Sequence, residues 1–523
     1  MASFYEQLNK QTVADDKENA LSRKSVDKWI FRLLLVLIGF MPLIVMAKVV
    51  EITSPIISTN SELSSGYLGD LFTYYKSLVI IAITFISSLL LIAKILFMGG
   101  TIRKTVINYF LVIFSFVIVI STILSPSITI ALNGHYNRTD GAVSWLCYIA
   151  LFFIAININY PKQAIKAILF SLYPFVLINL FIMTMNFYGK DLLQYTKIQN
   201  LVSLFLPEGA NLSAGSTLVG TLNQWNYMSG MFGIMAVLFL GAALYEKNTV
   251  QRIGHLVIAL ASMAMIFMSI SSSGFLAFLV LLPFLVAALI MVTSKKQVAI
   301  VLAAFLLLTA PVLHVLASHS PVVWEETIGI FIKSNPYAEK QTEVVTSSQM
   351  NFNYLLTNKA YAADVFELPV LPESATASGS GRLYIWEKTF DLVKDKPLFG
   401  YGLDSLMYNF PHYTIDARGG LGSEDIITDK AHSLYMSLLY GTGFIGLISL
   451  LAIVISSIIS AIKVAVKIKN APIFILGAAW CAYLVQALFN DSLPSLTTVA
   501  FVLAGMMIGM TLQSKESEDV RNN

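Results

Sequence analysis

His432-Ser-Leu-Tyr435-Met-Ser-Leu-Leu-Tyr440-Gly441-Thr-Gly443-Phe-Ile-Gly446-Leu-Ile-Ser-Leu-Leu-Ala-Ile-Val-Ile-Ser-Ser-Ile-Ile-Ser-Ala-Ile462 contains no Asp, Glu, Lys or Arg. About 20 apolar residues cross a bilayer. This run is long enough to span one, and its three glycines allow a tilt or a kink. It opens on a histidine, and the segment before it, residues 319–431, is polar. The chain therefore alternates between membrane and water, with a large aqueous insert ahead of a spanning helix.

Working outward, eleven more apolar runs are read as spans, near 30–50, 76–98, 105–125, 142–158, 163–187, 224–245, 253–270, 274–293, 298–318, 472–489 and 494–512. Of the 523 residues, 56% are hydrophobic and only 12% charged, with a mean hydropathy of +0.72. A soluble chain carries about 25% charged residues. The expected fold is an all-α polytopic membrane protein of about twelve transmembrane helices, with a loop domain between the ninth and tenth. The organisation reads as a tail 1–29, spans in 30–318, the loop domain 319–431, spans in 432–512 and a tail 513–523. No cleavable signal is expected, because the first 29 residues are polar and mixed in charge. A net charge of +3 gives no nucleic-acid footprint. Cys147 and Cys481 both lie in apolar runs, so the insert has no disulfide framework.

Basic residues in short loops set orientation. With the N-terminus inside, the short inner loops carry Arg103, Lys104, Lys162, Lys166, Lys247, Arg252, Lys295, Lys296, Lys463, Lys467 and Lys469 against one acid, Glu246. The short outer loops carry Arg138, Lys190 and Lys197 against seven acids. Both termini are thus expected in the cytoplasm and the insert outside. Arg32, Lys48, Lys76 and Lys94 fall near span ends, where they can snorkel. The dry span interiors argue against a transporter or flippase with a charged relay.

The insert supplies the chemistry-bearing residues. After Ser378-Gly-Ser-Gly381, an apolar face of Leu383, Trp386, Phe390 and Val393 predicts a helix that Pro397 ends. Arg382 falls in its first turn, where a cation opposes the helix dipole. An arginine at a helix N-terminus can grip a diphosphate; an ordinary salt bridge is the other reading. His432 opens the tenth span at a helix N-terminus, which disfavours imidazolium, as does Lys430, while Asp429 favours it. A neutral imidazole there suits a general base; a hydrogen-bonded interfacial histidine is the alternative. Gly400-Tyr-Gly402 reads as a tight turn, with Asp404 capping the next short helix. His135, His314, His319 and His412 show no metal-ligand spacing, and Glu424, Asp425 and Asp429 read as a solvated acidic loop.

Together these motifs resemble the O-antigen ligase and Wzy-type polysaccharide polymerase family. The similarity lies in Ser-Gly-Arg382 with Trp386, Pro397-Leu-Phe-Gly400-x-Gly402, Ala-His432-Ser with Tyr435, and Gly443-x-x-Gly446. It is specific over about 378–450. Leu222-Asn-Gln-Trp-Asn226 is similar to an asparagine-containing segment of that family. The resemblance implies a GT-C-like, metal- and cofactor-independent inverting glycosyltransferase of the bacterial plasma membrane. Its donor would be an undecaprenyl-diphosphate-linked oligosaccharide and its acceptor a glycan hydroxyl, with other polysaccharide-assembly membrane proteins as partners. It implies diphosphate binding by Arg382 and a general-base role for His432, with Asn226 and Trp386 as further substrate contacts. The family commonly has a second arginine where this chain reads Ser271-Ser-Ser273-Gly274. Lys430, Arg418 and Arg138 are the candidates to replace it. This departure fits a divergent polymerase better than a ligase.

Overall fold

The computed structural model describes residues 2–56, 63–210, 212, 216–222, 224–332, 334–338, 381–421 and 426–522. Ser378 to Ser380, Glu424, Asp425 and most of the first part of the insert lie outside them. The chain runs α1 (Ala2–Gly39), a hairpin of β1 (Lys48–Ile52) and β2 (Gly66–Asp70), α2 (Tyr74–Phe97) and α3 (Val106–Ile123). Next come α4 (Ile128–Asn133), α5 (Ala142–Ile156), α6 (Ala164–Phe187), α7 (Thr196–Val202), α8 (Trp225–Tyr245), α9 (Thr249–Met268), α10 (Ser272–Ile290) and α11 (Lys295–His319). After α12 (Val322–Glu325), the insert contributes α13 (Arg382–Asp395), α14 (Leu406–Asn409) and α15 (Ile415–Gly420). The chain ends with α16 (Leu434–Ile468), α17 (Ala471–Gln486) and α18 (Pro494–Asn522).

Among the described residues nine helices are long and apolar enough to cross a membrane, and α5 and α17 are shorter apolar helices. At the centre is α8. It is apolar all round and buried from Tyr227 to Leu244, as a helix hydrophobic on every side must be. Small residues let neighbours approach it. A Cβ on Gly233 would lie 2.9 Å from the Gly274 carbonyl oxygen, and one on Gly230 would lie 2.4 Å from Gln486 Oε1. Ser229 Oγ donates to the Ser271 carbonyl (2.7 Å) and accepts from the Gly274 amide (3.0 Å). These small residues serve close packing.

Three expectations are corrected. The apolar run 30–50 is not one span: the helix stops at Gly39, whose Cα packs on the Ser171 carbonyl, a 3-10 turn with Pro42 follows, and residues 48–52 pair antiparallel with 66–70. The tail 1–29, whose polar and mixed-charge sequence suggests a flexible arm, is instead helical: α1 runs through it and Asp27 is buried. Lys76 and Lys94 do not snorkel. Lys76 donates to the Thr221 carbonyl, and Lys94 forms a buried ion pair with Asp27 at 2.5 Å. A buried ammonium must be paired in this way.

The kink expected in the tenth span is a full break. Gly443 has φ 67° and ψ −172°, outside the helical region. The freed carbonyls of Tyr440 and Gly441 accept from the Tyr401 and Gly402 amides at 3.0 and 2.9 Å, and the Phe444 amide donates to Pro397 at 2.8 Å. Unwound backbone is tolerated at such depth only where protein satisfies it. The turn at Gly400–Gly402 is that protein. A Cβ on Gly443 would sit 2.4 Å from the Leu398 carbonyl carbon. Gly443→Ala should therefore destabilise the protein by about 2 kcal/mol or more. Gly477→Ala, whose Cβ would meet nothing closer than Met507 Sδ at 3.4 Å, should be near neutral. Thermal unfolding of the purified variants in one detergent compares them.

Candidate functional site

One end of the bundle gathers polar residues from six parts of the chain. They are the loop before α5, the N-termini of α8, α10 and α16, the insert, and the turn between α17 and α18. His432 lies just before α16, with φ 53°, in the left-handed region. Asp404 and Thr139, at φ 56° and 49°, are strained in the same way at this end of the bundle. Such conformations persist where surroundings over-determine them, often at functional sites.

His432 Nδ1 faces Asp491 Oδ2 at 3.6 Å, which leaves Nε2 directed away from the carboxylate. Asp491 also accepts from Ser437 Oγ at 2.5 Å. Burial opposes the charged imidazole and the Arg382 charge works the same way, but Asp491, with Asp429 behind it, outweighs both and raises the His432 pKa. The shift is thus opposite to the lowering expected from the helix N-terminus and Lys430. The carboxylate comes from the turn Asn490-Asp491-Ser492, which sequence reading did not single out. Asp491 is itself buried, which favours its neutral form; His432, Lys430 and Ser437 overcome this and hold it at about 2.

Arg382 is the first residue of α13. Gly381 precedes it at φ 75°, with the Gly420 carbonyl 2.8 Å from where a Cβ would be. The helix buries Tyr384, Ile385, Thr389 and Val393, while Leu383 and Phe390 are exposed. The apolar face is thus rotated from the expected one, because Tyr384 stacks its ring on the Gly420 backbone. Arg382 is half-buried and acts electrostatically on His432. It forms no ion pair among the described residues. The Trp386 indole donates to the Ala431 carbonyl at 2.7 Å, which ties α13 to the residue before the histidine.

The other candidates divide. Lys430 is buried and donates to the Ser492 carbonyl (3.0 Å) and the Tyr227 hydroxyl (3.4 Å). Burial disfavours its charge, but Tyr227, Asp404 and Asp491 more than compensate and raise its pKa. Asn226 meets the site through its carbonyl, which accepts from Asn490 at 3.4 Å. Asn490 also donates to Ser273 Oγ at 3.0 Å, so the serine at the family's arginine position sits beside the Asp491 turn. Arg418 lies in α15, and its side chain is outside the described part.

Arg138 is not a spare cation. It bonds Asp404 at 2.8 Å and Asp429 at 2.9 Å, and its guanidinium is buried. Asp404 does not cap the next helix; it accepts from Arg138 and from the His135 amide at 2.7 Å. Burial raises the Asp404 carboxyl pKa, but Arg138 and Lys430 bring it below the ordinary value. Asp140 is pushed up to about 7 by burial, against the pull of Lys430. A water-sized cavity of about 20 Å³ separates Asp140, Asp404, Asp429, Lys430 and Asp491.

These apolar helices and this polar end describe a multi-pass membrane protein. Residues 255–451, from α9 through the break in α16, match the family model described as O-Antigen ligase. That stretch, which holds Arg382 and His432, is thus similar to the O-antigen ligase family, as the motifs around those residues suggested, and with the apolar helices it supports a membrane glycan-processing enzyme. No curated protein matches the chain.

The His432–Asp491 pair has a pH window. The raised His432 pKa makes its contribution complete below the ordinary imidazole range and lost as pH climbs through the raised value. Asp491, held down to about 2, contributes above the ordinary carboxylate range and loses this as pH falls through 2. Asp491→Asn should therefore lower the melting temperature most near pH 5 to 6, with a smaller deficit at pH 9. Part of the deficit persists there because Lys430 stays charged. A deficit that is constant from pH 5 to 9 would mean the pair contributes nothing.

Proposed function

We propose that this protein transfers a glycan from undecaprenyl diphosphate to an acceptor sugar hydroxyl at the outer membrane surface. The observation that carries the reading is an Arg382 guanidinium without a carboxylate partner among the described residues, acting on a histidine held by Asp491. In the reaction the acceptor oxygen attacks the anomeric carbon as the carbon–oxygen bond to the diphosphate breaks, with inversion. The acceptor proton passes to His432 Nε2. The bond's electron pair leaves with the diphosphate, whose developing charge Arg382 stabilises through paired N–H donors. Asp491 fixes the tautomer with Nδ1 protonated and strengthens the base, as carboxylate–imidazole pairs do. Because the pair raises the imidazole pKa, activity should rise with pH through that value.

Arg138 and Lys430 have partners inside the protein, so Arg382 is the diphosphate ligand in this reading and Arg418 the remaining candidate for a second charge. Ser273 in place of an arginine favours polymerisation of repeat units over attachment of finished glycan to a lipid, wall polymer or protein. The ligase reading has its own support in the family description. The lipid-linked donor places the reacting carbon at the headgroups. The loop charges favour both termini in the cytoplasm and the insert outside.

Purified protein given a defined lipid-diphosphate donor tests this. A polymerase makes a ladder of lengths from donor alone; a ligase needs a separate acceptor. Arg382→Lys keeps the charge but not the fork and should lose most transfer together with donor affinity. His432→Ala should lose on the order of 10²- to 10⁴-fold in rate while still binding donor. Near-normal turnover by His432→Ala excludes it as the base. For orientation, a cysteine at Gln349 should react with an impermeant reagent in intact cells; labelling only after permeabilisation reverses the orientation.

A further inference from the structure

The opposite end of the bundle holds a second site. A cavity of about 660 Å³ lies between α1 and the start of α6, and Arg23, Lys24, Lys28 and Arg32 line it together with Phe31 and Leu35. Positions 24, 28, 31, 32 and 35 recur at helical spacing, so one stripe of α1 changes from cationic to apolar along the helix. Like charges four residues apart repel. Here Lys24 and Lys28 are exposed and make no ion pair among the described residues. Arg32 rests on the Trp29 ring, 4.9 Å from its centroid, and has no carboxylate partner among the described residues. Arg23 donates to the Met98 carbonyl, which leaves its charge unneutralised. The single acid on the wall, Asp27, is already taken by Lys94 and by Asn159 Nδ2 (2.9 Å). The cavity is thus rich in positive charge, with an apolar continuation toward the spanning half of α1.

We infer that this cavity binds the headgroup phosphate of an anionic phospholipid, with acyl chains along Phe31 and Leu35. An apolar stripe adjoining the cations fits a lipid rather than a free anion. The cations sit where α1 enters the apolar bundle, the depth at which headgroup phosphates lie. The inference does not depend on the transfer reaction, since the cavity is at the other end of the helices.

The test uses full-length protein in a neutral detergent, titrated with fluorescent phosphatidylglycerol, with phosphatidylcholine and inorganic phosphate as the other arms. Phosphatidylglycerol should bind at least tenfold more tightly than phosphatidylcholine, and millimolar phosphate should not displace it. The double variant Lys24→Gln/Lys28→Gln should weaken phosphatidylglycerol binding by on the order of tenfold, and Lys24→Arg/Lys28→Arg should keep it. Lys295→Gln/Lys296→Gln removes the same charge from α11 and should leave it unchanged. Size-exclusion profiles check that each variant is folded. Equal loss in the α11 variant would reduce the effect to general surface charge. Equal affinity for the two lipids, or displacement by phosphate, would overturn the proposal.

Discussion

A helix that breaks inside an apolar bundle leaves amides and carbonyls that no water can satisfy, and the structure is organised around one such break. At Gly443 the freed groups of α16 are taken up by Pro397, Tyr401 and Gly402. Those bonds fix the insert on α16 between the bundle and the aqueous end. From that anchor α13 lies over the N-terminus of α16, and the Trp386 indole reaches the carbonyl next to His432. A backbone requirement thus positions an arginine and a histidine that are fifty residues apart in the chain.

Charge balance completes the arrangement. Arg138, buried between Asp404 and Asp429, joins the loop before α5 to both ends of the insert's last segment. Lys430 faces the carboxylates from the other side. Removing one partner from such a network leaves an uncompensated buried charge, which costs about 3–5 kcal/mol. The network therefore serves the geometry of the site, while Arg382, with no internal ion pair among the described residues, remains available to an anion. The left-handed backbone at His432, Thr139 and Asp404 shows how tightly these contacts constrain the loops that carry them.

Much of this was legible in the sequence, for identifiable reasons. The apolar runs located the helices because burial in lipid demands length and composition, and the kink glycines marked the break. Arg382 and His432 stood out because a cation at a helix start and a histidine at a span start are costly placements. The run 30–50 misled because hydropathy does not register the contact of Gly39 with Ser171 or the hairpin pairing of 48–52. Lys76 and Lys94 looked like snorkelling residues because their partners, Thr221 and Asp27, are distant in sequence. Asp491 was invisible for the same reason: one acid in a short turn has no local pattern. Its pairing with His432 also raises the ring's pKa, opposite to the direction expected of a helix end, since a carboxylate at close range outweighs the dipole.

The central claim is that Arg382 and His432 act on a single lipid-diphosphate donor. A cryo-electron microscopy structure of the protein with an undecaprenyl-diphosphate sugar bound tests it most directly. The account predicts diphosphate oxygens on the Arg382 guanidinium, the anomeric carbon on the side of His432 Nε2, and Asp491 still on Nδ1. A diphosphate held away from Arg382, or an anomeric carbon on the side remote from the imidazole, would contradict it.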